Sequence, residues 1–227
     1  MATSGTISST MTASEVVTAA LQELSVLSAG EVADGDDLLL GLRSLNFMLK
    51  SWAARGLTSW RNQDGSVVAN AAETALDPYC VDVIDARVVQ SVNYERPLQR
   101  WELAQYRQIP NKAAVGTPTA FTVTKTADSV SLLLWPIPTT PTTIFYSFTR
   151  VIDDVVDGDQ TIDVPQQWLE AVYVSLAARL AQTYGVTRID PATTQIMIQR
   201  ALSLEADVFA ADQPASFYMG LSDGRVF

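Results

Sequence analysis

The stretch GLRSLNFMLKSWAARGL, residues 41–57, constrains the fold most, because it reads as one helix with apolar residues on two opposite sides. At about 100° per residue, Leu38, Leu42, Leu45, Leu49 and Trp52 fall on one stripe, and Leu40, Phe47 and Ala54 fall nearly opposite. Arg43, Asn46 and Lys50 separate the stripes on one flank, Ser44 and Ser51 on the other. One stripe suffices to bury a helix against its own core. The second needs more core or another subunit, which makes Leu40, Phe47 and Ala54 the candidate subunit-contact residues.

The flanking segments are helical too. TASEVVTAALQELSVLSAG opens on a capping box, Thr12 with Glu15, and keeps a face of Val16, Val17, Ala20, Leu21, Leu24 and Leu27 up to the stop signal at Gly30. Asp34 or Asp36 caps the second helix, Gly56 is its left-handed terminus, and Leu57 packs back onto its last turn. Near the other end, Pro165 starts a helix in which Trp168, Val172, Leu176, Leu180 and Tyr184 recur every four residues; Leu169, Tyr173 and Ala177 widen the face until the helix must be buried on most sides. Asp190 and Pro191 then start a last helix carrying Ile196, Met197, Leu202, Val208 and Phe209.

Between these pairs the period changes. Val67–Ala69, Ala86–Val92, Phe121–Thr126, Val130–Trp135 and Thr143–Thr149 are short, β-branched or aromatic, and punctuated by Gly, Pro and Asp. WELAQYRQ suggests a short helix among them, and Pro136 and Pro138 end a strand after SLLLW. The expected fold is α+β and mainly α. A helical hairpin and two long C-terminal helices surround a core, and one small, mostly antiparallel sheet is inserted in the middle. Its parts are a flexible arm over 1–12, a domain over 13–211 with helices 13–29, 37–55, 165–184 and 190–211 and a β-rich insertion at about 62–150, and a tail over 212–227.

Composition removes whole classes of chemistry. With no histidine in the chain, His-based triads, His-bearing zinc sites and HExxH hydrolysis are out. The single cysteine, Cys80, has apolar and acidic neighbours, so it reads as a buried structural thiol. A net charge of −10 without a basic cluster argues against gripping nucleic acid. No apolar run is long enough to span a membrane, and the Ser/Thr-rich start MATSGTISSTMTASE lacks the basic and apolar regions of a secretory signal.

The remaining motifs carry little chemistry. VIDDVVDGDQTIDV looks like a calcium loop, but counted from Asp153 a valine stands at ligand positions 3 and 12. It reads as a solvated acidic turn. The 25 acids include no pair in a local motif that sets one carboxyl in an apolar pocket, as glycoside hydrolysis requires. KAAVGTP lacks the spacing of a phosphate loop, and the five tryptophans sit in separate elements. No catalytic, cofactor or metal residue is assigned. The tail ASFYMGLSDGRVF exposes Phe217, Tyr218, Met219 and Phe227 as candidate partner anchors.

Six stretches in order resemble one family: LNFMLKSWAARGL, DVIDARVV, RPLQRWELAQYRQIPNK with GTPTAF, LWPIP, and DVPQQWLEAVYVSLAARLAQTYG. Together, over about Ser14 to Gly185, they are similar to the head-to-tail adaptor of short-tailed bacteriophages, the packaged-DNA-stabilisation protein. The resemblance implies a structural virion protein at the head-tail junction, made in the host cytoplasm. It implies a homo-oligomer, a twelve-fold ring docked under the portal protein. The ring would extend the channel, retain packaged double-stranded DNA without reading it, and receive the next tail component, a nozzle or hub. Two alternatives are a virion-borne peptidoglycan hydrolase, which some relatives of this kind are credited with being, and a self-stacking tail tube protein.

Overall fold

The computed structural model describes residues 10–57, 60–91, 94–127 and 129–212. Helices α1 (Ala13–Glu23) and α2 (Gly35–Ala54) come first. Strands β1 (Asn62–Ala69), β2 (Glu73–Ala75), β3 (Cys80–Ser91), β4 (Tyr94–Pro97) and β5 (Gln99–Arg100) follow. Helix α3 (Leu103–Arg107) precedes strands β6 (Ala120–Lys125), β7 (Val130–Trp135) and β8 (Thr142–Arg150). Helices α4 (Leu169–Thr183), α5 (Val186–Ile189) and α6 (Pro191–Asp212) close the chain. The fold is α+β with a β subdomain. It divides into two compact units, Leu49–Asp154 forming one and the residues on either side of that segment the other.

In the helical unit, all four N–H groups that α1 leaves without intrahelical partners are accounted for. Ala13 N donates to Gln160 O (2.8 Å) and Ser14 N to Gly158 O (2.9 Å), and the intrahelical ladder opens with Val16 N on Thr12 O (3.0 Å). Glu15 N donates to Thr12 Oγ1 at 3.3 Å, and Thr12 N returns the bond to Glu15 Oε2 at 2.8 Å. The acidic turn that resembled a calcium loop is thus the cap of the first helix. Gln160 Oε1 braces it by accepting from Val156 N (2.7 Å) and Asp157 N (3.1 Å).

The expected helix over 13–29 stops at Glu23, six residues early. Ser25, at φ 56°, takes the left-handed position that Gly30 was expected to fill. Val26 N bonds Leu21 O and Ser25 N bonds Gln22 O, the two bonds that close a Schellman end. Helix α2 ends the same way on Gly56 (φ 107°): Leu57 N reaches Trp52 O, Gly56 N reaches Ala53 O, and Leu57 is buried, as expected. At its start Asp34, not Asp36, is the cap, with Asp34 O accepting from Leu38 N at 2.7 Å.

Three contacts fix the first part of α2. A Cβ at Gly41 would overlap the Val17 side chain of α1. Tyr184 Oη donates to Asp37 Oδ1 at 2.6 Å, and burial, followed by that carboxylate, pushes the phenol pKa well up. Asn46 straps the returning chain, giving Nδ2 to Val155 O (2.8 Å) and accepting from Val155 N (2.9 Å).

Helix α4 is buried along most of its surface and packs on α1 and α6. Helix α6 is not. Its contact stripe is Thr194, Met197, Ala201 and Val208, while Ile196 and Leu202, apolar residues of the same helix, are exposed. They lie too far around the helix from that stripe for one face to hold both sets.

The β unit corrects the expectation of a single sheet. Two four-stranded sheets, ordered β1-β8-β3-β4 and β2-β7-β6-β5, share one apolar cluster that includes Val83, Ala86, Val88, Phe121, Leu132, Leu134, Ile144, Tyr146 and Phe148. All pairings are antiparallel except β5 with β6. Strand β3 was expected only from Ala86, because two register shifts upstream, between Cys80 and Asp82 and between Val83 and Asp85, break its alternation. The Tyr146 ring lies over Gly65 of β1, where a Cβ would stand 2.7 Å from Cζ. Arg61, only 3% exposed, donates to Arg150 O, Leu57 O and Ala53 O, the last two being carbonyls at the C-terminal end of α2.

An ordinary helix gains from Gly→Ala. Here Gly41→Ala should instead lower unfolding free energy by about 1–3 kcal/mol, because Val17 is β-branched and stiff. Gly35→Ala, with open space around its Cβ position, should be neutral or stabilising. Chemical denaturation of the two variants measures the contrast.

Candidate subunit interface

With α2 held on one side by Val17, Tyr184 and Asn46, its other side faces solvent. Leu39, Arg43, Phe47, Lys50 and Ala54 follow one another at steps of three or four residues and are all exposed, Leu39 by 65% and Phe47 by 63%. Large apolar side chains left this open on a fixed helix have surface to gain from a partner. The opposite stripe is Leu42, Leu45, Met48, Leu49 and Trp52, all buried.

Of the residues singled out from sequence, Phe47 and Ala54 lie on the open stripe and Leu40 is half-buried beside it. Leu39 was missed. It sits 100° round the helix from Leu40, and only the burial of Met48 and Gly41 turns the stripe toward it. Phe217, Tyr218, Met219 and Phe227 lie outside the described residues.

The charges on the stripe are of two kinds. Lys50 is paired with Asp154 at 2.8 Å, an exposed contact worth little. Arg43 has no ion pair or hydrogen bond among the described residues. A bare cation between two bare apolar side chains favours a partner surface that is apolar with an acid in it.

Elsewhere the titratable groups are tied into the fold. Burial first, then the Asp82 carboxylate, push the Cys80 thiol up to about 11, so it stays protonated at neutral pH. For Asp82, burial works to raise the carboxyl, but hydrogen bonds from Arg100 (3.0 Å) and Lys125 prevail and hold it below the ordinary value. Arg100 also donates to Val83 O, so the cavity it shares with Trp101 and Lys125 has its cations already engaged. Among the described residues no three Cys, Asp or Glu side chains are grouped to hold a metal, and no helix is long and apolar enough to cross a membrane.

What the described geometry offers is an open apolar stripe on a pinned helix. The SU10 adaptor protein family matches residues 11–216. The chain belongs to that family. The match reaches beyond the 14–185 span of the sequence resemblance and takes in all of α6. As an adaptor of this family the protein is a structural bacteriophage component of the head-tail connector. The neck of an empty GTA particle, computed with C6 symmetry, contains a chain 16% identical; the match covers 77% of this adaptor and 83% of that chain at a TM-score of 0.26. No curated protein matches the chain.

The Cys80 environment predicts slow chemistry. At pH 8 an aromatic disulfide reagent should modify the native adaptor about 100-fold more slowly than the protein in guanidinium chloride, from the smaller thiolate fraction alone. Absorbance at the released-thiol wavelength follows both rates.

Proposed function

We propose that the adaptor closes into a ring, twelve-fold as its family resemblance implies, beneath the portal at the head-tail junction. Its channel would continue that of the portal, hold the packaged genome in place, and present a far surface to the next tail component. The exposed Leu39–Phe47 stripe on a pinned helix carries this reading. In a cyclic assembly each subunit shows different faces to its two neighbours, so a wall helix is apolar on both sides.

The electrostatics fit passage of DNA rather than capture. At −10 per chain, a ring of twelve would carry roughly −120, and salt confines that field to within about 8–10 Å of the wall. Phosphates entering such a lumen meet repulsion at close range and no lasting contact. The tail, with Phe217, Tyr218, Met219 and Phe227, supplies anchors for the portal side.

Phe47→Glu should leave the monomer within about 0.5 kcal/mol of the parent, since the side chain is mostly in water, and should abolish ring closure on portal particles. Unfolding of that variant, or intact rings in electron micrographs, would refute the role given to Phe47. Deleting residues 213–227 should weaken portal attachment in co-sedimentation while the melting midpoint moves little. A large drop in the midpoint would make the tail part of the subunit's own fold.

A further inference from the structure

A head-to-tail contact joins two different patches of the same chain. The α2 stripe is one, and the helical unit carries a second that shares no residue with it. Between the turn that ends α1 and the α5–α6 segment lies a groove of about 530 Å³. Leu24, Val26, Val186, Ile189, Ile196 and Met197 supply its apolar lining. Ile189 and Ile196, on this lining, are 84% and 71% exposed, the most exposed large apolar side chains among the described residues.

The groove also carries the opposite charge. Glu23 and Asp190 line it together with Arg200. Arg200 is spent on Glu23 (2.8 Å) and Glu170 (2.7 Å). Asp190 caps α6, accepting from Thr193 N at 3.1 Å and from the Thr193 side chain, and among the described residues it has no ion pair. An unpaired anion flanked by Ile189 and Ile196 is thus the counterpart of an unpaired cation flanked by Leu39 and Phe47.

Resting on the ring reading above, we infer that this groove receives the α2 stripe of the neighbouring copy, with Leu39 and Phe47 among its isoleucines and Arg43 against Asp190. Burying these side chains on both partners takes Leu39, Phe47, Ile189 and Ile196, all largely exposed in the single chain, out of water in one step.

The test is photocrosslinking of the full chain assembled on portal particles of its own virus. A benzoylphenylalanine replaces Ile196 in one preparation and Ile189 in a second, so that a folding failure of one leaves the other. Isotopically labelled and unlabelled copies are mixed to mark adducts between chains, and electron microscopy scores rings in the same samples. The expected result is inter-chain adducts to residues 39–54, reduced at least tenfold when the partner copy carries Phe47→Glu. Rings with adducts only to residues 213–227, only to portal, or to nothing would overturn the groove assignment and leave the ring standing. Absence of rings from the parent chain would overturn the ring itself, and this contact with it.

Discussion

The helical unit is made from two pieces of chain separated by the whole β unit, and the structure depends on sewing them together. Asn46 does this with a reciprocal pair of hydrogen bonds to the backbone of Val155, 109 residues on. Closing so long a loop has an entropic cost that grows only slowly with length, so a few well-placed bonds and a packed interface offset it. The second strand of the seam is the cap on α1. Carbonyls from Gly158 and Gln160 satisfy N–H groups of a helix that begins at Ala13. Without the returning segment the first helix would start with two more unpaired donors. The acidic turn is therefore a fastening, its backbone carbonyls turned to the start of α1.

What could be read from the sequence followed the strength of the local signal. The Thr12–Glu15 box, the Gly56 terminus with Leu57 folded back, and the Pro165 and Pro191 starts depend on neighbours a few residues away. The box, the Gly56 end and the Pro191 start stand where expected, whereas after Pro165 the chain makes a 3-10 turn over Gln166–Trp168 and the α-helix begins only at Leu169. Features set by distant partners were hidden. The Schellman end on Ser25 pre-empts the better glycine at 30, because the turn after it is held by Gln22 Nε2 on Glu31 O at 3.0 Å. The bulges of β3 erase the two-residue period on which strand recognition rests. β1 is an edge strand with a largely polar first half, so only its last three residues looked like a strand. Arg61 gave no sequence signal at all, since nothing local says that a guanidinium will sit under the carbonyls of a helix end.

The surface was harder still. Periodicity placed two apolar stripes on α2, but which residues bound the open one depends on how far the helix is turned in its seat. On α6 the apolar residues alone did not define a face: the buried stripe runs through Met197 and Ala201, and Ile196 stands outside it. Ile189 lay in a segment expected to be a link and is instead a short helical turn. Apolar residues alone thus did not fix the open faces of these helices, and Leu39, Ile189 and Ile196 show as exposed only once the fold is in place.

Gly41 has a consequence for that assignment. With no side chain at this position, α1 and α2 touch backbone to side chain, and the Val17 methyls sit in the notch. A helix seated this way cannot roll about its axis without driving its own turns into Val17. Leu39, Arg43 and Phe47 lie on the far side of α2 from the notch, so their bearing is set by an atom the chain does not have. If copies close into a ring as proposed, the angle between successive ones fixes how many fit, and one missing methyl group would help set the compass.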